Sequence, residues 1–498
     1  MPKNPKILFF PSLGFIGIMR DAPSFRVSAI FISAVAVLIR LLTGLHSYSG
    51  AGNPPKYGDY EAQRHWMELT INLPVSDWYR NTTDNDLGYW GLDYPPLTAY
   101  QSYIHGVFMR KFDEQSVALH SSRGYESLHS KVLMRWTVVL SDLAIFFPAA
   151  IAFVAAYYRQ RSHEERVWVL ALILLQPALI LIDHGHFQYN CLSLGLAIGA
   201  AAAVISRWEI VACVLFSLSL NHKQMSMYYA PAFFSHLLGI SLRKKYPVLN
   251  VLKLGAAVLS TFALCWWPFL HSREAVLQVL SRLVPIHRGL FEDYVSNFWC
   301  VSNLLIKWKQ LLPDRVLVQL AFVATLACIL PSMLQQILRP SRRGFLLAMF
   351  NCSFAFYFFS YQVHEKSILL PVIPGTLLAL DEPLVWRWLI PGALMSMFPL
   401  LVRDGLLLPY FALLLLFFLG FVPLRSFNPV AASSLLGGFV LHLTYLLLDP
   451  PARYPYLFEA FIAAYTFAYF AAIFLYTNYR QWSRNRVLSS TQKRKKKV

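Results

Sequence analysis

Charge is what this sequence has least of: Asp, Glu, Lys and Arg together make up 14% of its 498 residues. Soluble domains carry roughly a quarter, so an aqueous fold is excluded. Acidic residues are the scarcer sign, 26 against 44 Lys and Arg. Cysteine is sparse as well, with six residues, none in a CxxC pair and none in the hydrophilic stretch that follows the first apolar block. That excludes a disulfide framework and a cysteine-based zinc site. The strict alternation of a membrane barrel is missing, and so is any repeat period.

Apolar residues fill the space, at 56% of the chain. They come in blocks suited to crossing a bilayer, about 17–25 residues each. Lipid offers the backbone no hydrogen-bond partner, so such blocks must be helices. A spanning window finds about fourteen, from 27–43 to 457–477, including 168–182, 227–240, 367–380, 387–402 and 405–424. The expected fold class is therefore an all-α polytopic membrane protein. An apolar run at 8–19 is too short to cross and reads as interfacial.

The formal net charge of +18 raises the question of nucleic acid. The basic residues, however, sit in short connections: Arg159, Arg161 and Arg166; Arg243 to Lys245; Arg339, Arg342 and Arg343; and the tail from Arg480. Retention of positive charge on the cytosolic side explains them; no nucleic-acid module accompanies them. The partner implied is the bilayer. This gives a cytosolic segment 1–26, one transmembrane domain 27–477 and a basic cytosolic tail 478–498. Two long loops, 45–130 and 271–316, fall on the far side. Lysines third and fourth from the end resemble a dilysine retrieval signal, although a basic tail meeting anionic lipid explains them equally.

The polar motifs collect on that far side. Residues 57–68, YGDYEAQRHWME, place three carboxylates, a guanidinium and an imidazole just past the first span. A carboxylate in such a cluster suits general-base work, although a charged interfacial helix that anchors the loop fits the spacing slightly better. Residues 89–97, YWGLDYPPL, hold Asp93 in a proline-stiffened turn whose aromatics can stack on sugars. Asp183, His184 and His186 hint at a metal, but they do not share a helix face; hydrogen-bonded packing is the other reading. Asn81-Thr82-Thr83 is a glycan acceptor pattern. Lys223 sits between short apolar blocks at a depth where ionisable groups are costly; as a substrate-binding group it would meet a phosphate, the other reading being a side chain that snorkels to the interface. Arg288, His364 and Lys366 are cations able to meet a phosphate, or to pair with Glu292, Asp293 or Glu365.

Five strings carry a family resemblance: YGDYEAQRHWMELT (57–70), YWGLDYPPLTAY (89–100), HGHFQYN (184–190), HRGLFEDYVSNFWC (287–300) and QVHEKSILL (362–370). Together with LDPP (448–451) they resemble the dolichyl-phosphate-glucose α-1,3-glucosyltransferases of the endoplasmic reticulum, of GT-C fold. YWGLDYPPLTAY and QVHEKS are similar to the branch that adds the first glucose rather than the second; Tyr294 and Ser296 depart from it. The resemblance implies a donor, dolichyl-phosphate-glucose, and an acceptor, Man9GlcNAc2-PP-dolichol, with inversion at a luminal site. It implies Asp59 as base with Asp93 in reserve. It further implies that Arg288, His364 and Lys366 hold the donor phosphate, with no cofactor and no bound metal. Rivals from other classes are a secondary transporter and a non-catalytic scaffold. The first would place its site near the bilayer midplane with internal repeats, and the second would need no clustered cations and carboxylates.

Overall fold

The long apolar blocks fold as helices, since a backbone in lipid can satisfy itself in no other way within one segment. The computed structural model describes residues 24–283, 290, 293–422 and 429–495; Arg288, the 8–19 run and the last three residues lie outside them. The chain is an all-α polytopic membrane protein, with no β-strand among the described residues. Six helices there are long and apolar enough to span: Phe25–Gly44, Leu128–Tyr157, His163–Phe187, Pro247–Phe269, Asp314–Leu338 and Leu457–Ser483. Shorter apolar helices, among them Asn190–Ile205, Glu209–His222 and Leu407–Phe421, pack among them.

Two expected boundaries differ. The block at 387–402 is two helices, Pro383–Ser396 and Phe398–Arg403, because Pro399 has no N–H to continue the first. The 168–182 block extends in both directions and ends in a π-helical turn, Leu181–Phe187.

Several of the basic connections meet one another. At one end, Arg161 reaches Asp381 at 3.7 Å, and Glu382 pairs with Arg343 and with Arg480 (3.2 Å). There Arg243 also caps the helix end at Leu338, at 2.6 Å from its carbonyl. At the other end lie Asp59, His186, Lys366 and Asp404.

The first long loop is a folded unit. Asp59–Asn72 and Pro96–Phe112 are helices packed on each other. Arg64 organises the first: its guanidinium donates to Glu61 (2.7 and 2.8 Å), Glu68 (2.7 Å) and the Ser116 carbonyl (2.9 Å). Glu61 also takes Tyr89 Oη–H (2.8 Å) and Gly124 N–H (3.1 Å), and Glu68 takes His120 N–H (2.8 Å). All three charged residues are buried. The helix is thereby locked to the rest of the loop, and its first residue, Asp59, is fixed in space. Asn81 stands exposed on this unit.

Deep among the spans, Arg40 pairs with Asp142 and donates to the Leu174 carbonyl (2.8 Å), while His184 contacts Asp142 at 2.9 Å. A paired, buried charge of this kind fixes how neighbouring helices register.

Replacing Arg64 with Met leaves Glu61 and Glu68 buried without their counter-charge, at a cost of about 3–5 kcal/mol. Thermal unfolding in detergent should register this as a large fall in midpoint. Unchanged unfolding would mean that the loop is held by its aromatic packing alone.

Candidate active site

Asp59 opens its helix at a point where two chain segments nearly touch. A Cβ on Gly58 would lie 2.6 Å from the Ser49 backbone, so only glycine permits the approach. Asp59 N–H then reaches Ser49 Oγ at 3.3 Å. A carboxylate in the first turn also faces the positive end of the helix.

The π-helical turn delivers the next groups. Its wider winding closes with Gln188 N–H on the Asp183 carbonyl at 3.3 Å, and Phe187 takes a left-handed backbone, φ 88°. This geometry aims His186 at two carboxylates: Nε2 lies 2.8 Å from Asp59 Oδ2 and Nδ1 lies 2.5 Å from Asp404 Oδ2. Gln188 donates its amide to the same Asp59 oxygen. From the turn at 365–368, Lys366 donates to Asp59 Oδ2 and lies 3.1 Å from His186 Nε2. Every one of these contacts with Asp59 falls on Oδ2; among the described residues Oδ1 accepts none. The Asp59 and Lys366 side chains are about one-fifth exposed, 21% and 23%, so a ligand can reach them.

Lys223 stands one layer behind. Its ammonium donates to Asn190 Oδ1 (2.6 Å) and Gln188 Oε1 (3.3 Å), and lies 4.8 Å from the Tyr94 ring centroid. It therefore touches Asp59 only through the Gln188 amide. Asp93 adjoins this layer, its carbonyl accepting from Gln224 at 3.1 Å. His364 lies on the chain two residues before Lys366, where its carbonyl caps the turn through Ser367 N–H at 3.0 Å. Arg288 lies outside the described residues. The neighbouring segments are nonetheless joined: Gln362 N–H meets the Leu290 carbonyl at 3.0 Å, and Arg403 bridges Asp293 (2.8 Å) and Glu365 (3.7 Å).

The suspected metal group is dispersed. Asp183 is turned to the Asn190 amide (2.8 Å) and Cys191 N–H (2.7 Å), His184 to Asp142, and His186 to Asp59 and Asp404. No cluster of ligating side chains occurs among the described residues. Asp404 was not legible as a site residue. Its only signal is a carboxylate, beside Arg403, interrupting two apolar runs.

A profile described as the ALG6, ALG8 glycosyltransferase family matches residues 34–476. The chain belongs to that family. Three relatives show the extent of the match. A protein of Arabidopsis thaliana named "Probable dolichyl pyrophosphate Man9GlcNAc2 alpha-1,3-glucosyltransferase" is 55% identical, covering 95% of this chain and 92% of its own. A Gallus gallus protein of that name without "Probable" is 46% identical over 76% of this chain and 75% of its own. The Saccharomyces cerevisiae protein so named is 38% identical over 90% of each.

The charges at the site have a definite pH behaviour. Burial alone would push the Asp59 carboxyl up, but the Lys366 ammonium, and then His186, hold it well below the usual carboxylate range. Lys366, pushed down by burial, is held above the ordinary lysine value by Asp59. A depressed carboxyl stabilises the fold above its unfolded pKa and loses that on acidification through the folded one. A raised lysine does so below its unfolded pKa and loses it at more alkaline pH. Between about pH 5 and pH 9 both contributions are complete. The difference in unfolding midpoint between the parent protein and Lys366→Met should stay flat across that range. Curves that converge near pH 6 would assign the stabilisation to a histidine instead.

Proposed function

We propose that the protein transfers glucose from dolichyl-phosphate-glucose to Man9GlcNAc2-PP-dolichol in α-1,3 linkage, on the luminal face of the endoplasmic reticulum membrane. The names of the relatives support the acceptor and the linkage. The observation that carries the chemistry is the position of Asp59, ionised, partly exposed and with one oxygen uncommitted, beside a lysine.

Inversion of a β-linked donor needs one displacement at the anomeric carbon. The acceptor hydroxyl attacks, its proton passes to Asp59 Oδ1, and the dolichyl phosphate departs with the bonding electrons. Phosphate leaves without protonation, so the donor side calls for cations rather than an acid. Lys366 fits that task, with His364 and Arg288 as its companions. When Lys366 turns to the phosphate, it relinquishes Asp59 Oδ2. The carboxylate then loses its strongest counter-charge and becomes a better proton acceptor at the moment when the donor is in place. His186, braced by Asp404, keeps Asp59 oriented throughout. Asp93 and the aromatics of the 89–97 turn border the same region and serve acceptor sugars. Lys223 acts as a positioning residue through Gln188.

Asp59→Asn should retain insertion and folding yet lower transfer by about 10²–10⁴-fold, the range for loss of a general base. The measurement is glucose transfer by purified protein supplied with both lipid-linked substrates. Near-normal transfer would remove Asp59 from the role, and Asp93→Asn would then be the variant to assay.

Lys366→Met or His364→Ala should raise the donor KM more than the acceptor KM. A change confined to the acceptor would reverse the assignment of these two residues.

A further inference from the structure

A large cavity among the described residues shares none of its lining with the site just described. A trough of about 1370 Å³ runs between Phe147–Tyr157 and Glu209–His222, with Asn190–Ile205 as its floor. The floor and near wall are made of small residues: Ala149, Ala152, Gly195, Gly199 and Ala203. The glycines and alanines seat the three helices close together in lipid. Gly195 is filled from behind, since a Cβ there would meet the Phe146 backbone at 2.9 Å. Gly199 differs: a Cβ there meets only Leu215 at 3.5 Å and Ala149 at 3.7 Å, so the space above it is trough.

One end of the trough is strongly basic. Arg159, Arg161 and Arg342 line it, with Asp381 as the acidic lining residue. Asp381 is engaged by the Tyr157 hydroxyl and by Arg161 at 3.7 Å, and Arg161 also meets Glu165 at 3.4 Å. Glu209, at the start of one wall, is taken by Lys244 at 2.6 Å. Arg159 and Arg342 are exposed and form no ion pair among the described residues. Trp208, 66% exposed, stands at the same rim, where indole rings settle at the headgroup level.

We propose that this trough is a binding site for one anionic phospholipid of the leaflet opposite the active site, its phosphate between Arg159 and Arg342 and an acyl chain along the alanine and glycine floor. Charge complementarity selects the occupant: an apolar channel ending in two uncommitted guanidinium groups matches a chain that ends in a phosphate. The sugar donor does not suit it. The donor phosphate belongs beside Lys366, at the Asn190 end of the floor helix, whereas the arginines lie past its Ile205 end.

The test uses the full chain in nanodiscs of phosphatidylcholine alone or with phosphatidylserine, reading retained lipid by native mass spectrometry and unfolding by temperature. Phosphatidylserine should be retained in preference and should raise the unfolding midpoint. Each arginine removed should weaken that preference by about five-fold, so the Arg159→Ala/Arg342→Ala double variant should lose it while still folding. Gly199→Leu, which occupies the trough, should release the lipid with both arginines intact. Equal retention of the two lipids, or a preference that survives the double variant, overturns the proposal. So does an equal midpoint shift from inorganic phosphate in detergent, which would assign a free-phosphate site instead.

Discussion

The contact between Asp59 and Lys366 is the constraint on which the rest of the arrangement depends. Both side chains are about one-fifth exposed, and each supplies the other's nearest opposite charge. They are 307 residues apart in sequence, so the stack of intervening spans must bring the 59–72 helix and the 365–368 turn to one point. The Arg64 network holds the first rigidly. The Gln362–Leu290 hydrogen bond and the Arg403 bridges hold the second. His186 completes the arrangement, because its two ring nitrogens join Asp59 to Asp404 and so tie in a further span.

Much of this was legible without coordinates. Class followed from hydropathy, and the separation of basic from motif-bearing connections followed from alternation. Asp59 was singled out through the family resemblance and Lys366 as a cation in a polar string at a span end; that the two meet was not legible in either string. Glu61 and Glu68 sit in the same string, and there the bland reading wins: both are consumed by Arg64 at helical spacings of three and four. Lys223 is buried as its depth suggested, yet it addresses Gln188 and Asn190 rather than open space. Asp404 escaped notice because it belongs to no motif. Only the fold reveals that the imidazole of His186 faces it. The break at Met397 was missed for another reason, since a window average does not register one proline.

Backbone strain collects around the same point. Tyr57, Phe187 and Gln362 all adopt left-handed conformations, with φ of 59°, 88° and 61°, each within four residues of a side chain in the cluster. Non-glycine residues in such conformations cost of order 1–3 kcal/mol apiece. The surrounding packing must over-determine them, and it does: Phe187 is completely buried against Tyr60 and Tyr189. Geometry held against its own preference keeps the Asp59 carboxylate at the point where His186, Gln188 and Lys366 meet it.

The long sequence separation of the two charges also has a consequence in time. A ribosome adding roughly 5–20 residues per second needs about 15–60 s to travel the 307 residues from Asp59 to Lys366. During that interval Asp59 exists without the lysine that later pairs with it. The partners of Arg64, Glu61 and Glu68 all lie within residues 61–124, so that network is available long before. Every member of that network is therefore synthesised before His186, the first of the side chains that meet the Asp59 carboxylate. Later segments complete the loop: Phe269 and Val279 join its Trp66, Trp78 and Leu92 cluster, and Arg282 donates to the Leu92 carbonyl at 3.2 Å.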